Sequence, residues 1–314
     1  MVTGGAGFIG SHLADALLSE GCHVAVLDNL STGNISNLKK IRGEINFIEG
    51  DIRDPADIEK AAEGCDLIYH EAAVVSVVQT VKAPAPSALV NDIGTINVLD
   101  AARQQGIRRV ILASSAAVYG DDSEVPNREE MPPSPQSPYA IQKLSNELYA
   151  RTFHDLFGLE TVCLRYFNVF GPRQDPSSPY SGVISIFMDH SVRRKQPVIY
   201  GDGNQYRDFV YVKDVVRANL LAAASPNAAG GRFNIGTGER VSIHALWQKV
   251  SGLSGFGEEP QYASPRPGDI VESVSSIARA ETVLGYRPAY SFDKGLSETY
   301  AWFRNAAASQ DAFY

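Results

Sequence analysis

Tyr139 and Lys143 stand four residues apart in Ser137-Pro138-Tyr139-Ala140-Ile141-Gln142-Lys143. Ser137 suits a helix cap and Pro138 a first helical turn, so the phenol and the ammonium should share one face of a helix. A free phenol, with a pKa of about 10, is a poor base at neutral pH, but a fixed neighbouring cation favours the phenolate. Tyr139 could then take a hydroxyl proton. Such pairs are common on surface helices, and the rest of the chain must supply the context. Ser114 and Ser115 close the strand-like run Arg109 to Ala113, twenty-four residues before Tyr139, where a hydroxyl could share a substrate oxygen with the phenol.

The elements that position these groups begin at Met1-Val2-Thr3, which reads as a strand running into Gly4-Gly5-Ala6-Gly7-Phe8-Ile9-Gly10 and then an apolar helix, Leu13 to Leu18. Gly4, Gly7 and Gly10 recur every three residues, as a tight turn, a close backbone approach to a pyrophosphate and a helix N-terminus require. The next strand, His23 to Leu27, ends in Asp28, eighteen residues after Gly10. A carboxylate there binds ribose hydroxyls and repels a 2'-phosphate, which points to NAD. Further strands are expected over Glu44–Glu49, leading to Gly50-Asp51-Ile52 as an edge for adenine, and over Asp66–His70, leading to Glu71-Ala72-Ala73, where small side chains admit a cofactor. Helices are expected over Pro55–Glu63 and Pro86–Gln105, and Asp121 to Ser137 reads as a surface loop. His70 reads as a packed group. The βαβ alternation predicts an α/β fold, a Rossmann-type doubly wound parallel sheet with ligands at the carboxyl ends of its strands, plus a smaller α/β substrate-binding lobe.

Composition narrows the partners. A net charge of -8 over 314 residues argues against a nucleic-acid binder and an anionic membrane surface. No apolar run reaches membrane-span length and no signal-type start is seen, so a cytoplasmic protein is expected. Cys22, Cys65 and Cys163 are too scattered for a disulfide framework or a zinc site, and the six histidines lack a metal-ligand spacing, so no metal is expected. All three cysteines are expected to be buried small apolar residues.

Thr3-Gly-Gly-Ala-Gly-Phe-Ile-Gly10, Asp28-Asn29, Asp51-Ile52, His70-x-Ala-Ala73, Ser114-Ser115 with Val118-Tyr119-Gly120, and Tyr139-x-x-x-Lys143 together resemble the nucleotide-sugar branch of the extended short-chain dehydrogenase/reductases. They look most like the UDP-glucose and UDP-N-acetylglucosamine 4-epimerases. The resemblance implies Ser115, Tyr139 and Lys143 as the catalytic trio. For NAD it implies Gly4, Gly7, Phe8, Ile9, Gly10, Asp28, Asn29, Ser31, Gly33, Asp51, Ile52, Ala72, Ala73 and Asn91, with Tyr139 and Lys143. For the UDP-sugar it implies Ser76, Ser115, Tyr139, Asn168, Val183, Tyr200, Arg207, Arg266, Asp269 and Ser273. Asn168 would hold the diphosphate, the helix from Val183 would lie along the uracil, and Arg207 and Arg266 would grip phosphate with guanidinium donors. Residues 1–166 would form the NAD-binding domain and 167–314 mainly the substrate lobe, with about 208–236 returning to the first.

The resembling dehydratases carry Asp and Glu after the hydroxyl residue, and decarboxylating relatives a Glu near position 117; this chain has Ala116 and Ala117. Alanines cannot move protons. Reversible oxidation at C4 remains, with Tyr139 as base. The alternatives are a UDP-glucuronate 4-epimerase, another nucleotide-sugar epimerase or reductase, and a catalytically silent NAD-binding regulatory protein. Ser273 occupies the position that gates C2 in the resembling epimerases, and its small size implies that N-acetylhexosamines are accepted beside plain hexoses. Val75 stands where some relatives carry Lys or Gly. The family commonly forms homodimers through helices matching 86–105 and 139–157; Ile141, Leu144, Leu148 and Phe153 would support a four-helix interface there, the alternative being that the same stripe is core.

Overall fold

The computed structural model describes residues 1–121, 124–176, 182–265 and 270–309. Seven strands form one parallel sheet: Val2–Thr3 (β1), Ala25–Asp28 (β2), Asn46–Glu49 (β3), Leu67–His70 (β4), Arg109–Ser115 (β5), Glu160–Tyr166 (β6) and the edge strand Gly231–Ile235. From that edge the order is β6, β5, β4, β1, β2, β3. Chain direction across the sheet therefore reverses between β1 and β4, which is where a doubly wound sheet opens a crevice at its carboxyl edge.

Alternation along each strand explains why helices cover both faces. Val26, Tyr69, Ile111 and Leu164 point to one side, where they pack with Leu13 and Leu17 of helix Phe8–Ser19 and with Val215 and Ala222 of helix Val212–Ala224. Their neighbours Leu27, Ile68, Val110 and Cys163 point to the other side, against Ile58, Val98, Leu99, Ala150 and Phe153. Those come from helices Pro55–Ala62, Gly94–Gln104 and Pro138–Phe157. Each fully buried Leu or Val contributes roughly 1.5–3 kcal/mol, so the sheet and its two helical layers are held chiefly by apolar burial.

The second lobe has its own core of Phe187, Met188, Leu246, Trp247, Leu296 and Phe303, from helices Val183–Val192, Ile243–Ser254 and Phe292–Ser309. Small strand pairs tie it to the sheet domain. Asn168–Phe170 runs parallel to Phe209–Tyr211, and Tyr206–Arg207 lies between Val241–Ser242 and Glu272–Ser273.

Three expectations from sequence need correction. The continuous helix over Pro86–Gln105 is instead a short helix Pro84–Ala88, a wide π turn Leu89–Ile93 and helix Gly94–Gln104. At its end a Cβ on Gly94 would stand 2.6 Å from Ile52 Cδ1, so a larger residue there would have to displace the Ile52 side chain. The Asp121 to Ser137 stretch is not wholly at the surface: Asn127 and Glu129 are buried, because the Asn234 amide donates to Glu129 Oε1 at 2.7 Å and its side chain donates to the Asn127 carbonyl at 2.9 Å. Of the cysteines, only Cys163 is buried; Cys22 follows the helix-ending turn and is exposed, and Cys65 is half-buried.

Candidate active site

Helix Pro138–Phe157 starts as its sequence demands, with the Ala140 amide donating to Ser137 Oγ at 3.2 Å and Pro138 in the first turn. It ends at Gly158, whose left-handed φ of 72° suits glycine. Within this frame Lys143 is buried and donates from Nζ to the Ala113 carbonyl of β5 at 2.7 Å. The same Nζ lies 5.9 Å from the centroid of the Tyr139 ring. Ser115, at the end of β5, accepts from the Ala117 amide at 3.2 Å, and its hydroxyl favours ionisation of the neighbouring Tyr139 phenol. The three groups singled out from sequence thus converge at the carboxyl end of β5.

Their electrostatics depart from the simple expectation of a phenol ionised by its lysine. Burial is the largest influence on Tyr139 and pushes the phenol up to about 12; the Ser115 hydrogen bond pulls it down, while the Glu71 carboxylate pushes it higher. Burial also lowers Lys143 to about 8, against the opposing pull of Glu71. In the ligand-free protein the phenol is therefore protonated at neutral pH, and the ammonium is only narrowly held. Desolvation dominates the phenol's state.

Glu71 was not singled out as functional by sequence, and neither was Tyr166. The Tyr166 hydroxyl donates to Glu71 Oε1 at 2.7 Å and accepts from Asn219 Nδ2 at 2.8 Å. Burial raises the Glu71 carboxyl to about 7, partly countered by Tyr166 and Lys143. The available signal was a carboxylate immediately after the apolar run of β4. His70, by contrast, is a packed group: it bridges Thr3 Oγ1 at 2.8 Å and Thr95 Oγ1 at 2.9 Å, and burial pushes it down to about 3.

The glycine loop fits a dinucleotide. A Cβ on Gly10 would stand 2.3 Å from the Gly4 carbonyl, and Gly4 itself has φ +65° with the Ala72 backbone 2.8 Å from where a Cβ would stand. Helix Phe8–Ser19 has no side-chain cap, leaving its first amides for an anion. Asp28 ends β2 beside this loop, accepting from the Ala6 amide at 2.9 Å and the Leu30 amide at 2.8 Å, with Gly33 packed against its carboxyl. Asn29 donates to Asp51 Oδ2 at 2.7 Å and accepts from the Ser31 amide at 3.0 Å. Arg53 also pairs with Asp51, and its guanidinium holds that carboxyl well below the usual range. Ile52 is buried behind them, while Phe8 and Ile9 pack toward the second lobe. Asn91 clamps the loop after Ala72-Ala73: it accepts from the Val74 amide at 2.7 Å and donates to the Val74 carbonyl at 3.0 Å.

The residues expected at the sugar nucleotide come from both lobes. Ser76 caps helix Val77–Lys82 by accepting from Gln79. Asn168 donates to the Asp208 carbonyl at 3.0 Å, Val183 opens its helix after Gly182, and Tyr200 ends strand Val198–Tyr200. Arg207 and Ser273 are direct partners on adjacent parallel strands. Asp208 fixes this corner from the interior, accepting from the Thr237, Gly238 and Ser275 amides at 2.8, 2.9 and 3.1 Å. Arg266 and Asp269 lie outside the described residues.

Residues 1–236 match the NAD dependent epimerase/dehydratase family. A UDP-glucose 4-epimerase of Mycolicibacterium smegmatis is 39% identical over 309 residues, 97% of this chain and 98% of its own length. Among solved structures, a UDP-N-acetylglucosamine 4-epimerase of Methanobrevibacter ruminantium, in complex with UDP-N-acetylmuramic acid, superposes with a TM-score of 0.93 at 40% identity, covering 98% of this chain and 97% of that one. A UDP-glucose 4-epimerase of Thermus thermophilus in complex with NAD gives 0.89 at 40% identity, covering 97% and 98%.

Proposed function

The chain belongs to the NAD dependent epimerase/dehydratase family, and from that premise we propose that it interconverts UDP-sugars epimeric at C4, UDP-GlcNAc with UDP-GalNAc and UDP-Glc with UDP-Gal. The observation that carries this reading is the convergence of Ser115, Tyr139 and Lys143, with Ala116 and Ala117 directly after the hydroxyl residue, where dehydratases carry Asp and Glu. Bound NAD supplies the acceptor, and then the donor, of the C4 hydride. Tyr139, once ionised, takes the O4 proton and returns it, Ser115 orients that oxygen, and the Lys143 charge stabilises the phenolate that must form before the transfer. Inversion follows if the 4-keto sugar turns over between the two transfers. That needs a firm diphosphate grip, assigned to Asn168 and Arg207, and a loose sugar site.

Residues 1–166 with about 208–236 serve NAD in this reading, and the remainder of 167–314 serves the sugar nucleotide. Ser273, small and in register with Arg207, leaves room for an N-acetyl group. The reading assigns the protein to the cytoplasm as a homodimer. Exposed Ile141, Leu148 and Leu156 on helix Pro138–Phe157 and Leu89 and Ile93 on the π turn support that pairing, whereas Leu144 and Phe153, expected there from sequence, pack inside the fold. Leu148→Glu should convert the dimer to monomer in light scattering; an unchanged mass would remove this face as the interface.

Substrate carrying deuterium at C4 tests the chemistry. Epimerised product should keep its label at C4, and in heavy water unlabelled substrate should gain none. Solvent deuterium at C4 would replace hydride return with deprotonation.

A further inference from the structure

Glu71 places a half-buried carboxyl at the end of β4, within the field of both the Lys143 ammonium and the Tyr139 phenol, and neither the O4 proton transfer nor the nucleotide grip uses it. Three elements meet there. Glu71 follows β4. Tyr166, at the end of β6, commits its single hydroxyl proton to Glu71 Oε1 at 2.7 Å. Asn219 of helix Val212–Ala224 fixes that hydroxyl from behind at 2.8 Å. Tyr166 is also the direct cross-strand partner of Ser115, so the group that holds Glu71 and the group that touches Tyr139 sit side by side on β6 and β5.

The other ionisable neighbours leave Glu71 a distinct role. Around Lys143 stand Glu71, Cys163, Asp92 and Glu147. Glu147 is neutralised by a bidentate Arg165 and a Ser114 hydrogen bond, burial pushes the Cys163 thiol far up, and His70 is held neutral. Asp92 is raised by burial and is not among the groups acting on Tyr139. Among the described residues, Glu71 is the carboxylate that acts on both members of the pair.

We infer that Glu71 is a positioning residue for the Tyr139–Lys143 pair: its carboxyl, held by Tyr166, carries an exchangeable proton whose presence leaves the Lys143 charge to Tyr139 and whose loss divides that charge between them. This rests on Tyr139 as the base proposed above. An ionised Glu71 raises the cost of forming the phenolate and helps Lys143 keep its proton; a neutral Glu71 does the reverse. The balance is purely protonic, since the proton leaves to solvent and no covalent bond to carbon changes.

Infrared difference spectra of the NAD-loaded enzyme without substrate, from about pH 5 to about pH 9, read this proton directly. The wild type should lose a carboxylic acid C=O band near neutrality, and Glu71→Gln, which keeps an acceptor for Tyr166, should lack that band. In the same variant both limbs of the pH–rate profile should move to lower pH by about one unit, because one negative charge has left both groups. A profile superimposable on wild type, or no band titrating in that window, overturns the inference. Should Glu71→Gln not fold, Tyr166→Phe removes the donor that favours the ionised carboxyl, and the band's midpoint should rise; an unmoved midpoint overturns it equally. The band requires no turnover, so its behaviour is separable from the base assignment, which fails instead if Tyr139→Phe stays active.

Discussion

Arg165 grips Glu147 through two parallel hydrogen bonds, Nε to Oε1 at 2.8 Å and Nη2 to Oε2 at 2.7 Å, with side chains 0% and 4% exposed. Glu147 lies one helical turn beyond Lys143, and the Ser114 hydroxyl donates to the same carboxylate at 2.6 Å. The pair thereby pins the helix that carries Tyr139 to β5 and β6. Breaking a buried pair leaves one charge uncompensated. Glu147→Ala should lower unfolding stability by about 3–5 kcal/mol, measured by guanidinium denaturation, and Arg165→Met with Glu147→Leu should cost less than Glu147→Ala alone.

Tyr139→Phe removes the hydroxyl proposed as the base while keeping the ring. Turnover should fall about 10²–10⁴-fold, as loss of a general base typically causes, with bound NAD unchanged in denatured extracts. Ser115→Ala should cost less and displace the Tyr139 ionisation to higher pH, because its hydrogen bond lowers the phenol. Full activity in Tyr139→Phe would place the base elsewhere.

The positions of Ser115, Tyr139 and Lys143 were legible in the sequence because each depends on local rules: a Ser-Pro helix start, i to i+4 spacing, and a strand end. The glycine loop and Asp28 were legible for the same reason, since Gly10 and Gly4 have backbone demands that only glycine meets. The charge state of Tyr139 was not. It depends on how deeply the hydroxyl is buried and on Glu71, sixty-eight residues away in the chain and brought near by the β4–β5–β6 order. The break at Leu89–Ile93 was equally hidden, because it answers to a clamp between Asn91 and Val74 and not to helix propensity.

Glu71 also marks stability with pH. Its carboxyl titrates at about 7 in the fold against 4.5 when unperturbed, so between those values the folded chain holds a proton that the unfolded chain has lost. Its contribution therefore favours folding below about pH 4.5 and is lost as pH rises towards 7. Glu71→Gln has no such loss, and its stability relative to wild type should increase from about pH 4.5 to about pH 7 by up to about 3 kcal/mol. A difference that does not change with pH in urea titrations would contradict the assignment.

Ser273 faces the register position of Arg207, and Asp208 fixes the same corner through its main chain, with its amide donating to the Ser273 carbonyl at 2.9 Å. If Ser273 lines the sugar site as proposed, a bulky ring at 273 would narrow it. Ser273→Tyr should reduce kcat/KM for UDP-GlcNAc at least about tenfold more than for UDP-Glc, a difference of about 1.4 kcal/mol. Equal losses on both substrates would remove this residue as the gate.

The most direct test is to incubate the purified protein, without added cofactor, with UDP-GlcNAc and separately with UDP-Glc, and to resolve the sugar nucleotides by NMR. The account predicts UDP-GalNAc and UDP-Gal at equilibrium with their C4 epimers and no net NADH. Absence of either epimer, even with NAD supplied, would contradict it.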